Sequence, residues 1–82
     1  MNKYLVKVYV PLLDSNYDVW IPNSKRVKDI VYYISAMLKN LTDGEFEIKN
    51  YDLINRFNGN IYDYNLLINE TDIKNSTELI IM

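Results

Sequence analysis

Hydrophobic and polar residues alternate at the start of the chain and then change period. In KYLVKVYV, residues 3–10, Val6, Val8 and Val10 fall on one face and Leu5, Lys7 and Tyr9 on the other, which predicts a strand. Pro11 ends that ladder, and Asp14, Ser15 and Asn16 supply turn chemistry. YDVWI, residues 17–21, alternates again, with Tyr17, Val19 and Ile21 set against Asp18 and Trp20. Two alternating runs joined by a short turn-rich link predict a hairpin.

The period then becomes helical. Val27, Ile30, Val31, Ile34, Met37 or Leu38, and Leu41 keep the three-four spacing of one buried face. Ser24 or Asn23 is the expected N-cap, because a short side-chain oxygen can accept from the free amides of the first turn. Asn40 and Gly44 are the expected stop signals, and Lys28, Asp29, Ser35 and Lys39 are expected on the solvent side. Tyr32 and Tyr33 are expected to pack at the edge of the core.

Residues 42–50 are charged and irregular, predicting a loop with a short strand near Phe46. YDLINRF, residues 51–57, reads as a strand, and Asn58-Gly59 is a two-residue hairpin signal because both residues tolerate positive φ. NIYD, residues 60–63, would return. Leu66, Leu67 and Ile68 form a small apolar cluster, and Ile73 is the inward anchor of the link that follows. TELIIM closes the sequence as a strand, with Leu79 and Ile81 inward and Ile80 and Met82 outward. One helix with a broad apolar face must be covered by one sheet, so the expectation is a single two-layer α+β domain over residues 1–82. The apolar last strand fits the centre of a mixed sheet, parallel to the first.

Composition narrows the function classes. The 82 residues are 49% hydrophobic and 13% aromatic, which supports a packed core. With no cysteine and no histidine, thiol catalysis, disulfides, the usual zinc ligand sets and imidazole acid–base chemistry are excluded. The expectation is a non-enzyme without cofactor or metal. A formal charge of −2 and a pI near 4.9 argue against a nucleic-acid partner. No apolar run approaches a membrane span of about 20 residues, and the N-terminus lacks a signal-peptide core, so a cytoplasmic protein is expected.

The C-terminal third carries a resemblance. LINRFNGNIYDYNLL followed by TDIKNSTELIIM resembles the signature of ubiquitin-like proteins: a strand, a tight turn, a leucine, an inward isoleucine at Ile73 and a final strand. Val27, Ile30 and Ile34 match the three core positions of the ubiquitin helix at the same spacing. The resemblance covers the chain in order and pattern and implies the β-grasp fold. Length, the V-x-V-x-V opening strand and the ending are similar to the YukD/EsaB-type small ubiquitin-like proteins of Gram-positive bacteria, which are associated with type VII secretion loci. That likeness implies an accessory or regulatory role in such a machine. Ubiquitin and the sulfur carriers act through a C-terminal Gly-Gly tail, whereas the glycines here are Gly44 and Gly59, so the expectation is a binder that is not conjugated. The alternative is a modifier or sulfur carrier made as a precursor or trimmed form.

In ubiquitin the sheet face turned away from the helix is the partner surface. The resemblance places Ile80 and Met82 there, and puts Arg56 where ubiquitin has its central isoleucine. Alternation adds Leu5, Tyr9 and Trp20 to the same face, with Trp20 the strongest anchor for a partner pocket. Lys25, Arg26 and Lys28 at the helix start offer a weaker docking feature for an acidic partner. The acidic residues Asp63, Glu70, Asp72 and Glu78, and the alternating Asp43, Glu45 and Glu47, read as solvated surface. Assembly of copies through an exposed strand edge is compatible with this reading.

Overall fold

The computed structural model describes residues 2–82. Strand β1 (Lys3–Val10) turns through a 3-10 segment, Pro11–Leu13, into β2 (Ser15–Pro22). Helix α1 (Val27–Leu41), β3 (Leu53–Asn55), a second 3-10 turn (Ile68–Glu70) and β4 (Glu78–Ile81) follow. The sheet order is β2-β1-β4-β3, with β1 parallel to β4 and the other pairs antiparallel. One helix crosses the inner face of this mixed sheet, which is the β-grasp arrangement.

The alternation dictates the faces. Val6, Val8, Val10, Val19, Ile21, Leu53, Leu79 and Ile81 are buried against the helix. The helix returns Val27, Ile30, Val31, Ile34 and Leu38 to the same core. Five buried aliphatic side chains at about 2 kcal/mol each outweigh any terminal cap. Ile73 and Ile68 close the ends of the core as buried anchors.

Several local expectations are corrected. The N-cap is Arg26, not Ser24 or Asn23. The first-turn amides are satisfied by a distant loop: Val27 donates to the Leu66 carbonyl at 2.9 Å and Lys28 to the Tyr64 carbonyl at 3.2 Å. A cap supplied through tertiary contact needs no Ser or Asn beside it. Ser35 is buried rather than solvated, because a small residue lets the helix sit close to its neighbours, and its hydroxyl bonds back to the Tyr32 carbonyl. Leu41, Tyr32 and Tyr33 are exposed, since the buried arc ends at Leu38 and the two tyrosines project beyond it.

The loop after the helix contains no strand at Phe46. Asp43 and Gly44 adopt positive φ (58° and 89°), and the Gly44 amide closes the helix on the Lys39 carbonyl at 2.8 Å. Phe46 then plugs the core as a single buried ring stacked on Tyr51 with centroids 4.9 Å apart. The strand expected over residues 51–57 is only Leu53–Asn55, and the returning segment makes one bridge, Ile54 to Ile61. Gly59 takes positive φ but Asn58 does not, so the turn is not the two-residue type expected. The Gly59 amide instead reaches the Asn55 carbonyl at 2.8 Å.

Candidate functional site

The outward side chains form cross-strand rows. Leu5 pairs with Trp20 at one end, while Lys7 lies between Asp18 and Glu78 in the next row. Tyr9 lies between Asn16 and Ile80 in the third, and Ile80 faces Ile54. Met82 follows at the far end, 61% exposed, with its backbone paired to Asp52. The charged row Asp18, Lys7, Glu78 therefore divides the apolar side chains into two groups, because register fixes which residues sit side by side. Trp20, 50% exposed, and Leu5 form one; Tyr9, Ile80 and Met82 form the other.

Arg56 lies over the middle. Its guanidinium sits 4.8 Å from the Tyr9 ring centroid, donates to Asn16 Oδ1 at 3.1 Å and lies 4.0 Å from Glu78 Oε1. A planar cation suits this position because it can stack on the ring and use its edge donors at the same time. Tyr9 in turn donates its hydroxyl to Asp14 at 2.8 Å, and that bond is the main cause of its raised pKa. All six sequence-derived candidates are thus outward or on the rim, but they make two surfaces separated by charge.

The turn that carries Arg56 is held by a buried polar clip that sequence reasoning missed. Asn55 Oδ1 accepts from the Phe57 and Asn58 amides at 2.8 and 3.2 Å, while its Nδ2 donates to the Tyr62 hydroxyl at 3.0 Å. Tyr62 donates onward to Asp72 Oδ1 at 2.6 Å. Burial first, then the Asp72 bond, pushes the Tyr62 pKa up to about 12. The signal available in sequence was an asparagine at an inward strand position two residues after Leu53, where an apolar residue would be expected.

Exposed apolar residues were also missed at the turns. Phe57 is 97% exposed on the clipped turn, and Leu12 is 75% exposed between β1 and β2. Each sits among turn-forming residues, Asn58-Gly59 and Pro11 with Asp14, which is where an apolar side chain has no core to enter. Along the other side of Trp20, an open groove of about 510 Å³ runs between β2 and α1, with Pro22, Ile30 and Tyr33 among its walls. Among the described residues, no group of three or more acidic side chains is placed to hold a metal ion. Among the same described residues, no helix is long and apolar enough to cross a membrane.

No family model matches the sequence, and no curated protein matches it. Solved structures do share its fold. The EccD5 ubiquitin-like domain from Mycobacterium xenopi superposes with a TM-score of 0.71 at 15% identity, covering 100% of this chain and 94% of that one. The ubiquitin-like domain of Arabidopsis thaliana protein At2g32350 gives 0.72 at 20% identity, covering 100% and 78%. The N-terminal ubiquitin-like domain of the 4931431F19Rik protein gives 0.76 at 16% identity, covering 99% and 74%.

Proposed function

We propose that this ubiquitin-like β-grasp domain is a non-catalytic protein-interaction module that serves a type VII-like secretion machine as an adaptor or accessory subunit. The observation that carries the interaction reading is the half-exposed Trp20 beside Leu5, on a sheet face whose centre is bridged by Arg56. A tryptophan held on a strand is pre-organised, so a partner gains its contact area with little loss of side-chain freedom. The likeness to YukD/EsaB-type proteins suggests the machine. The fold shared with the EccD5 ubiquitin-like domain from Mycobacterium xenopi supports the ubiquitin-like part of the reading.

Arg56 alters the recognition expected from ubiquitin. A cation replaces the apolar centre, so a partner of this face must bring an acceptor to the middle and apolar contacts to either end. The test is co-purification from cells that make Trp20→Ala in place of the native chain. Loss of a secretion ATPase or membrane component from the purified complex, with circular dichroism unchanged, is the expected result. Undiminished co-purification removes Trp20 from the binding surface.

A further inference from the structure

Gly59 follows an asparagine, and a glycine nitrogen is the backbone nitrogen best able to attack a preceding side-chain amide, because no Cβ blocks the approach. The other glycine, Gly44, follows Asp43, so Asn58-Gly59 is the single asparagine–glycine bond in the sequence. The turn leaves that bond sterically open. Asn58 is exposed, and a Cβ built on Gly59 would meet nothing within 4 Å. Its restraint comes from hydrogen bonds instead.

For ring closure the Gly59 nitrogen must rotate toward Asn58 Cγ and give up its proton. In the folded turn that N–H donates to the Asn55 carbonyl at 2.8 Å, and Asn58 Oδ1 is engaged as well, accepting from the Asn60 amide at 2.9 Å. The Asn58 amide donates to Asn55 Oδ1 at 3.2 Å, which fixes the backbone on the other side of the reacting residue. Asn55 thus accepts two of these three bonds. Asn55 is itself buried, and its Nδ2 is anchored on the Tyr62 hydroxyl at 3.0 Å, which is anchored in turn on Asp72 at 2.6 Å. The exposed peptide bond is held from the core, and it reacts only when the turn opens.

We infer that Asn58 is a site of spontaneous deamidation, and that the Asn55–Tyr62–Asp72 clip sets how fast it reacts. On opening, the Gly59 nitrogen bonds to Asn58 Cγ and loses its proton to solvent, while the side-chain nitrogen leaves as ammonia and a succinimide ring closes. Water then opens the ring at either carbonyl, giving aspartate or, where the chain now runs through the former side chain, isoaspartate. Either product adds a negative charge to a chain of net charge −2, and isoaspartate also inserts a methylene into the backbone. The lengthened turn no longer brings the Gly59 amide to the Asn55 carbonyl, so Arg56 loses its fixed place over Tyr9 and beside Asn16. The reaction therefore changes the middle of the sheet face irreversibly. It goes beyond the interaction reading, since no partner takes part in it.

The test is incubation of the native chain, Tyr62→Phe and a synthetic peptide of residues 55–61 in mildly alkaline buffer. Mass spectrometry of proteolytic fragments locates the change from amide to acid, and methylation by an isoaspartate methyltransferase reports the isoaspartate share. Asn58 is expected to react before any other asparagine. The peptide should react at least about tenfold faster than the native chain, and Tyr62→Phe at least about fivefold faster. In the purified isoaspartate product, the NMR signals of the Arg56 guanidinium and the Asn16 side-chain amide should move to solvent-exposed values. A native chain as reactive as the peptide, equal rates for the native chain and Tyr62→Phe, or earlier reaction at another asparagine overturns the inference. Unmoved Arg56 and Asn16 signals overturn the change at the sheet face. The comparison of native chain with peptide stands whether or not the variant folds.

Discussion

Replacing Tyr62 by Phe removes one oxygen from the clip beneath the Arg56 turn and should cost far more than a surface change. Two hydrogen bonds disappear: the 2.6 Å donation to the Asp72 carboxylate and the 3.0 Å acceptance from Asn55. Asp72 is exposed, so water replaces its lost donor, and the first loss is softened. Asn55 is only 9% exposed, so its Nδ2 is left without a partner, a penalty of about 1–3 kcal/mol. Taken together, and without assuming additivity, the loss is about 2–3 kcal/mol. In a domain of this size that lowers Tm by roughly 10–20 °C. Total stabilities of about 4–12 kcal/mol are typical for such lengths, so the variant still folds. Urea denaturation followed by Trp20 fluorescence measures the change, and hydrogen exchange at the Phe57 and Asn58 amides localises it. A loss below about 0.5 kcal/mol, or no faster exchange at those amides, refutes the clip as a structural element.

The raised pKa of Tyr62 adds a pH signature: its folded value of about 12 exceeds the ordinary 10, so its contribution is complete below pH 10 and fades as pH rises from 10 through 12. The stability gap between the native chain and Tyr62→Phe should therefore narrow across that window, and a constant gap would show that the hydroxyl proton is not what the clip holds. Arg56→Ala should leave the fold intact and make the separation between native and variant stability shrink at 1 M salt, since its partners are half-exposed; salt-independent values count against the strap. Gly44→Ala should cost about 1 kcal/mol in thermal unfolding although a Cβ there meets nothing, because φ is 89°; an unchanged Tm means that the turn relaxes.

Long periodic segments carried the fold in the sequence. Eight residues of β1 alternate without interruption, and the helix face from Val27 to Leu38 keeps one spacing, so both elements and their buried sides were legible. The order of the sheet followed from an apolar last strand that could not be left at an edge. The helix start was not legible, because its cap comes from carbonyls nearly 40 residues away in the chain, at Tyr64 and Leu66. Nor was the length of β3, where the Asn55 side chain captures the Phe57 and Asn58 amides and ends the strand early.

At the site, alternation placed Leu5, Tyr9, Trp20, Ile80 and Met82 outward, but it could not say which lie together. That depends on register between strands far apart in sequence, which sets Glu78 beside Lys7 and so puts a charged row between Trp20 and Ile80. The reach of Arg56 to Asn16 likewise joins residues 40 positions apart in the chain, which no local pattern encodes.

Photo-crosslinking in cells from position 20, compared with position 40 at the exposed end of the helix, followed by mass spectrometry of the captured chain, asks whether the Trp20 surface meets a partner. The interaction reading predicts that position 20 captures a secretion ATPase or membrane component and position 40 does not. Capture from neither position, or equally from both, contradicts it.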